Sequence, residues 1–323
     1  MKTPLIRITG SLALSLSVCA AAWAADFPTR PVTLVSPYQA GGSADGIARA
    51  IAEVAGRNLG QPVVVEAKPG AEGLIGALDV AKAPADGYRL LWGGAGSMMI
   101  VPALRKTPPF DPATAFTAIA GTVDFSFFLF VHPDIEVDSA KAFMDYARAN
   151  PGKIDYATGN NQGLLSFAYV AQQEKIDAQR VQYKGETGAI TDLLTGRVQA
   201  MFGTSTAIPY ARDKRLNVLA TTLNNRSPLL PDVPTMKEAG VTEVPFGGGW
   251  LGIFGPPGVP KDVVQRLNKA FMDAFNDPSV KQRMELAGLV HTPRTIAELE
   301  QYVKDERDLY HKVVRDLGLP LVD

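Results

Sequence analysis

Residues 37–45, with the sequence PYQAGGSAD, connect two segments of different hydrophobic periodicity. The preceding residues 32–35 form a short apolar run that predicts a β-strand. The following residues 47–59 carry apolar side chains at helical spacing and predict an amphipathic α-helix. A strand that continues through such a loop into a helix is the building unit of α/β domains, which bind ligands at the carboxyl ends of their strands. We therefore expect an α/β fold in which residues 37–45, the first loop, contribute to a ligand site.

The composition of the first loop favours binding over catalysis. Gly41 and Gly42 let the backbone come close to a ligand, and Ser43 and Asp45 are suited to cap the helix. A helix N-terminus presents free N–H groups and a partial positive charge, which suit a carboxylate or a phosphate. Because the loop has no Lys, Arg or His, backbone dipoles and hydroxyl groups would hold an anion there. An ordinary capped turn, in which Asp45 serves only as scaffold, is the alternative.

The alternation of strand and helix continues through the chain and divides into two units. Strands are predicted at 32–35, 63–66, 89–93, 125–131, 154–157, 181–183, 200–202, 216–221 and 250–254. The order favours two α/β lobes, each a mainly parallel sheet flanked by helices. We assign residues 25–122 and 250–323 to the first lobe and residues 123–249 to the second. A cleft between two such lobes is a natural site for a small molecule.

The N-terminal segment has the features of a secretory signal peptide. Lys2 and Arg7 are followed by the apolar residues 12–18, and residues 22–24, AWA, fit the small-residue cleavage rule. We expect residues 1–24 to be removed after Ala24 and the mature protein to be periplasmic. An uncleaved membrane anchor is the alternative. Cys19, the one cysteine, lies in this segment, where lipid attachment is an open alternative.

Charge and motif content exclude several classes of function. The net charge is −1 with no basic stripe, so nucleic-acid binding is not expected. His132, His291 and His311 lack metal-ligand spacing, and the chain has neither a nucleophile elbow nor a phosphate-binding P-loop. Without a cysteine beyond the leader, disulfides and thiol chemistry are excluded as well. We expect no metal, no cofactor and no enzymatic activity.

Ordered motifs along the chain resemble one family. They lie at residues 37–49 (PYQAGGSADGIAR), 68–77 (KPGAEGLIGA), 86–88 (DGY), 183–185 (YKG), 192–196 (DLLTG), 230–240 (LPDVPTMKEAG) and 250–260 (WLGIFGPPGVP). Together they resemble the Bug-type periplasmic solute receptors of tripartite tricarboxylate transporters.

The resemblance implies a two-lobed periplasmic binding protein of the Venus-flytrap, type II-like class. Such a receptor binds a small carboxylate without metal or cofactor and presents it to membrane transporter subunits, and nothing calls for more than a monomer. The first loop and the second loop, residues 158–163, are implied to grip the carboxylate. The candidate ligand-binding residues are Tyr38, Ala40, Gly41, Gly42, Ser43, Asp45, Ala71, Gly73, Ser97, Thr158, Gly159, Asn160, Asn161, Gln162, Tyr183 and Thr204.

This chain departs from the family pattern in its loops. The second loop carries Asn160, Asn161 and Gln162 where the family has a glycine- and serine-rich turn, and Ser166 stands where a histidine commonly follows. Glu72 replaces a customary glycine. Because amides both donate and accept hydrogen bonds, we expect the far end of the ligand to be polar or uncharged. A periplasmic enzyme acting on a small carboxylate and a ligand sensor are the alternative functions.

Overall fold

The computed structural model of the protein describes residues 27–323, and of Ser43 only the backbone. The expected signal peptide, its cleavage site after Ala24 and Cys19 lie outside the described residues. Within the described part of the chain, no helix combines the length and apolar character needed to cross a membrane.

Eleven strands form two separate sheets in residues 27–323. The strands are β1 (Val32–Ser36), β2 (Val63–Ala67), β3 (Arg89–Gly94), β4 (Thr117–Phe125), β5 (Phe128–Val131), β6 (Ile154–Thr158), β7 (Ala178–Gln182), β8 (Ala200–Gly203), β9 (Asn217–Thr221), β10 (Gly249–Gly255) and β11 (Leu289–Thr292). The sheet of the first lobe has the order β11-β4-β10-β3-β1-β2, and that of the second lobe has the order β7-β6-β8-β5-β9.

The helices connect the strands and cover both sheets. They are α1 (Ser43–Leu59), α2 (Leu74–Ala81), α3 (Val101–Ala103), α4 (Pro112–Ala115), α5 (Ala140–Ala149), α6 (Asn161–Gln173), α7 (Glu186–Leu194), α8 (Ile208–Arg212), α9 (Lys261–Asn276), α10 (Pro278–Ala287) and α11 (Ile296–Asp316). A π-helical turn at Ala95–Ile100 and two 3₁₀ turns, Ala71–Gly73 and Ser205–Ala207, follow strand ends.

The two-lobed α/β architecture expected from the sequence is confirmed, but the sheets are mixed in their pairing. Strands β1, β2 and β3 pair in parallel, as do β6, β7 and β8, while β10 is antiparallel to both β3 and β4, and β5 is antiparallel to both β8 and β9. The reason is the connection between lobes. Strands β5 and β10 each begin where the chain enters a new lobe from the cleft, whereas their neighbours end at the cleft.

The apolar run at 125–131, predicted as one strand, is divided between the two sheets. Phe125 closes β4, where it pairs with Gly249 and Leu289, and Phe128 opens β5 opposite Gly203 and Thr221. Between them the chain passes from one lobe to the other. Both lobes bury apolar side chains, so the run stays apolar although the strand is interrupted.

Helix α1 illustrates how sequence periodicity builds the first lobe. Its stripe of Ile47, Ile51 and Ala55 is fully or almost fully buried against α9, which presents Leu267 and Phe271. Removing side chains of the size of Ile51, Leu267 and Phe271 from water stabilises the fold by roughly 1.5–3 kcal/mol each. The stripe thereby fixes the N-terminus of α1 at the edge of the sheet that faces the second lobe.

Candidate functional site

A cavity of about 790 Å³ lies between the lobes, at the carboxyl ends of their parallel strands. Its first wall consists of lining residues from the first lobe, mainly at the ends of β1, β2 and β3. Its second wall consists of lining residues from the second lobe, at the ends of β6, β7 and β8. The volume falls in the range of ordinary small-molecule sites.

The first loop presents backbone to the cavity. Gly42 is the N-cap residue of α1, with φ −77°, so neither Ser43 nor Asp45 occupies the capping position expected from the sequence. Gly41 has φ +85°, a conformation that glycine adopts without strain. The N-terminal N–H groups of α1 thus lie at the cavity with little side-chain cover.

Asp45, one of the candidate ligand-binding residues, holds the first loop from behind and is not among the residues that line the cavity. Its carboxylate, 3% exposed, accepts a hydrogen bond of 3.0 Å from the Gly41 N–H and pairs with the Arg49 guanidinium at 2.9 Å. Burial raises the pKa of Asp45, but these bonds outweigh it, and the net pKa lies below the usual value. The scaffold alternative describes Asp45 best.

Two further segments complete the first wall. In the 3₁₀ turn, Ala71 and Glu72 have φ +44° and +60°, so Glu72 occupies a conformation that favours glycine. A Cβ on Gly73 would lie 2.9 Å from Ser97 Cβ, so glycine allows the turn to approach the π-helical turn. The Ser97 hydroxyl is buried beside Tyr38 and has no well-formed hydrogen bond within residues 27–323. Burial raises the pKa of Tyr38 well above its usual value, so its hydroxyl stays protonated.

The three amides of the second loop have different roles. Asn160 caps α6, because its Oδ1 accepts a hydrogen bond of 2.7 Å from the Gly163 N–H. The Gln162 amide is held by protein at both ends: Nε2 donates to the Gly248 carbonyl at 3.3 Å, and Oε1 accepts from the Tyr310 hydroxyl at 2.9 Å. Asn161 lines the cavity without a side-chain hydrogen bond in the described chain. Of the three amides, Asn161 is the one most available to a ligand.

The ends of β7 and β8 supply the rest of the second wall. A Cβ on Gly159 would lie 2.5 Å from Glu186 Cα, so this glycine lets the second loop pack against the N-terminus of α7. The Glu186 carboxylate accepts hydrogen bonds from the Thr204 N–H and hydroxyl. Burial raises the pKa of Glu186 despite these bonds. The Tyr183 hydroxyl donates to Asp192 at 2.8 Å, and burial raises its pKa to about 12.

The structure brings nearly all the predicted site residues together around one cavity. Fourteen of the sixteen line it. Asp45 lies behind the first loop, and of Ser43 the structure describes only the backbone, which opens α1 beside the lining residues. Trp250, on the return strand β10, lines the cavity as well.

Two cations that line the second wall, Arg180 and Lys184, are absent from the ligand-binding residues that the sequence predicts. Arg180 lies on β7 and lines the second wall, and its Nε donates to the Thr158 hydroxyl at 3.0 Å. Arg180 follows no glycine loop and precedes the segment 181–183 that was predicted as a strand, so it was not considered. The structure begins β7 at Ala178 and places Arg180 opposite Tyr156, whereas the sequence predicts a strand only from residue 181 onward, so no local signal brings Arg180 to the cleft.

Several positive groups face the cavity. Helices α1, α6 and α7 direct their N-termini at it, each with a partial positive charge. The side-chain charges are Arg180 and Lys184 on the second wall, with Glu186 of raised pKa, and the exposed Glu72 on the first wall. No group of His, Cys, Asp and Glu suited to a metal ion occurs within residues 27–323.

Comparison with known proteins identifies the family of this chain. A family model described as the tripartite tricarboxylate transporter family receptor matches residues 47–319. The chain belongs to this receptor family. The resemblance seen in its sequence motifs is thereby confirmed.

Solved structures place the receptor among periplasmic binding proteins. The periplasmic binding protein BugD is 32% identical, with a TM-score of 0.81 over 90% of this receptor and 99% of BugD. MatC from Rhodopseudomonas palustris with bound malate is 29% identical, with a TM-score of 0.80 over 89% of this receptor and all of MatC. An R. palustris protein with adipate is 30% identical, with a TM-score of 0.83 over 91% and 99% of the two chains. The Bug-type relationship and the solute-binding fold are confirmed.

Proposed function

We propose that this receptor captures a small organic carboxylate between its lobes and delivers it to the membrane subunits of a tripartite tricarboxylate-type transporter. The observation that carries the proposal is the convergence of three helix N-termini on one interlobe cavity. Backbone N–H groups and helix dipoles at such a point bind a carboxylate without a metal ion. The leader-like residues 1–24 support action in the periplasm.

The related structures support the ligand class. MatC was solved with malate and the R. palustris neighbour with adipate, and both of these ligands are dicarboxylates. Each of these proteins shares about 30% identity with this receptor over nine-tenths of its length. We propose that the first loop holds one carboxylate of the ligand and that Asn161 contacts its remainder.

We propose that the ligand leaves the cleft chemically unchanged. Catalysis on a carboxylic acid would need a positioned nucleophile or base with a proton-transfer partner. Three titratable groups of the cavity are engaged by protein partners: Glu186 with Thr204, Tyr183 with Asp192, and Glu72 with Gln182 at a long 3.4 Å. This arrangement favours binding over the enzymatic alternative.

A ligand screen tests the proposed function. The mature protein is unfolded, freed of ligand and refolded, then heated with mono-, di- and tricarboxylates, amino acids and neutral amides. A ligand of the native state stabilises it by about 2.7 kcal/mol at a hundredfold excess over its Kd. We expect a shift with a carboxylate, and proton NMR should recover that acid intact. A shift with neutral amides alone contradicts the carboxylate class, and a converted acid establishes the enzyme instead.

A further inference from the structure

Arg180 is oriented toward the cavity by the neighbouring strand. Strands β6 and β7 pair in parallel, with Tyr156 opposite Arg180 and Thr158 opposite Gln182. The Arg180 Nε reaches forward along this face to the Thr158 hydroxyl, 3.0 Å away, and Thr158 itself is only 2% exposed. A buried acceptor thus fixes one edge of the guanidinium at the cleft end of the sheet.

The rest of the guanidinium is exposed and has no protein partner within the described chain. The two terminal amino groups of Arg180 make neither a hydrogen bond nor an ion pair in residues 27–323, although most arginines there pair with an acid. The acids of the cavity are engaged differently, because Glu186 accepts from Thr204 and Glu72 accepts from Gln182. Arg180 therefore presents a planar pair of donors to the cavity, the geometry that matches a carboxylate in a bidentate contact.

A second anchoring point lies on the opposite wall. The residues that line the first wall include no Lys, Arg or His, but they supply the N–H groups of the first loop and the Ser97 hydroxyl, which is buried beside Tyr38. These groups suit one carboxylate, and Arg180 suits another. A cavity of about 790 Å³ has room for a chain between the two.

We propose that Arg180 is a specificity-determining residue that binds the second carboxylate of the ligand, so that the receptor selects dicarboxylates over acids with one charged end. The inference rests on the proposed function, and it replaces the sequence-based expectation that the far end of the ligand is polar or uncharged. Lys184 also lines the second wall and is exposed, as Arg180 is, but no side-chain hydrogen bond within residues 27–323 orients its ammonium group as Thr158 orients Arg180.

Calorimetric titration of the refolded mature protein tests this role. The probes are the best-bound member of the series succinate, malate, glutarate and adipate, and the monoamide of the same acid, which keeps its shape and loses one charge. Arg180→Gln should weaken dicarboxylate binding by about 10- to 100-fold, the loss expected for a charge-assisted hydrogen bond. Monoamide binding should not change, so the preference for the dicarboxylate should disappear. Arg180→Lys should recover part of that preference, since charge returns without the planar fork.

Lys184→Gln provides the matched control, since it removes the same charge from the same wall. We expect it to keep the dicarboxylate preference. An equal loss in both variants, or an equal loss for both probes in Arg180→Gln, would overturn the role of Arg180 while the wild-type binding leaves the proposed function standing. If the wild-type protein binds no acid of the series or of the wider screen, the proposed function fails, and the inference fails with it.

Discussion

The two walls of the cleft present different chemical groups to the cavity. The first wall is made of glycines, small residues and the N-terminus of α1, and its one charged side chain is the acidic Glu72. The second wall carries Asn, Gln, Thr and Tyr side chains together with Arg180 and Lys184. One wall offers main-chain donors, and the other offers side chains.

This difference separates affinity for a carboxylate from choice among carboxylates. Main-chain N–H groups are present whatever the side chains, so we propose that the first wall recognises the carboxylate group common to all candidate ligands. Side-chain donors vary with the sequence. We therefore propose that the second wall recognises the part of the ligand beyond the shared carboxylate. Substitutions on the first wall should change the affinity for every acid, whereas substitutions of Arg180 and Asn161 on the second wall should change the preference.

The largest effect is expected at Gly159, where the second wall also depends on a glycine. In Gly159→Ala the new Cβ would lie 2.5 Å from Glu186 Cα, and backbone atoms cannot move aside cheaply. The free energy of unfolding should fall by about 3 kcal/mol, as in overpacked cores. Thermal denaturation measures this. Gly185→Ala is the control, because nothing lies within 4 Å of its added Cβ, and an equal loss there would contradict the steric account.

Gly42→Val tests the main-chain donors of the first wall. The φ of −77° is accessible to any residue, and the nearest atom to the added Cβ is the Gln39 carbonyl at 3.6 Å, so the fold should tolerate the change. The branched side chain should cover the N-terminus of α1 and weaken binding of all carboxylates by about 100-fold, the upper range for charge-assisted hydrogen bonds. Calorimetry with several acids measures this. A folded variant with unchanged affinity would show that the first loop does not hold the ligand.

Two neighbouring amides of the second loop should behave in opposite ways. Gln162→Ala leaves the Tyr310 hydroxyl and the Gly248 carbonyl without their partner in a buried site, at a cost of about 2 kcal/mol in stability. Asn161→Ala removes no protein hydrogen bond and should alter the ligand profile with little change in Tm. Denaturation curves and ligand screens of both variants decide this. If Asn161→Ala binds the same ligands with the same relative affinities, the Asn161 side chain does not contribute to ligand recognition.

The smallest effect is expected at Asp45, behind the first wall. Because its pKa is lowered in the folded state, its stabilisation is present above the unfolded pKa of about 3.9 and is lost as the pH falls through the folded value. Asp45→Asn should cost about 1 kcal/mol at pH 7, and the difference from wild type should close below pH 4. Denaturation at several pH values measures this.

Glu53→Gln is the control for Asp45, since it breaks the exposed Glu53–Arg57 pair of the same helix. Such surface pairs contribute little to stability, so the variant should resemble wild type. A loss as large as that of Asp45→Asn would indicate a general effect of charge on α1 rather than a specific hold on Gly41.

The sequence pattern was sufficient for the lobes and for most of the cavity. Hydrophobic periodicity and loop composition locate β1, α1 and the glycine loops, because both signals lie within short stretches of the sequence. Strands β4 and β11 were not predicted, since both are held by antiparallel pairing with strands distant in the chain. The division at 126–127 was hidden because both sides of it are apolar.

The side-chain roles at the site needed the structure. The partner of Gln162, Tyr310, is 148 residues away in the sequence, so an amide that holds the lobes together looks the same as one that binds ligand. The sequence does not distinguish Arg180 from other exposed strand residues. Its place in the site depends on the register between β6 and β7, which brings its guanidinium to the Thr158 hydroxyl. Asp45 points behind the loop because Arg49, one helical turn later, pairs with it.

A crystal structure of the receptor with its best-bound dicarboxylate tests the two-wall account most directly. We expect one carboxylate within hydrogen-bonding distance of the N–H groups at the start of α1 and the other in bidentate contact with the Arg180 guanidinium. A ligand whose carboxylates both lie on the first wall, with Arg180 turned to solvent, would contradict it.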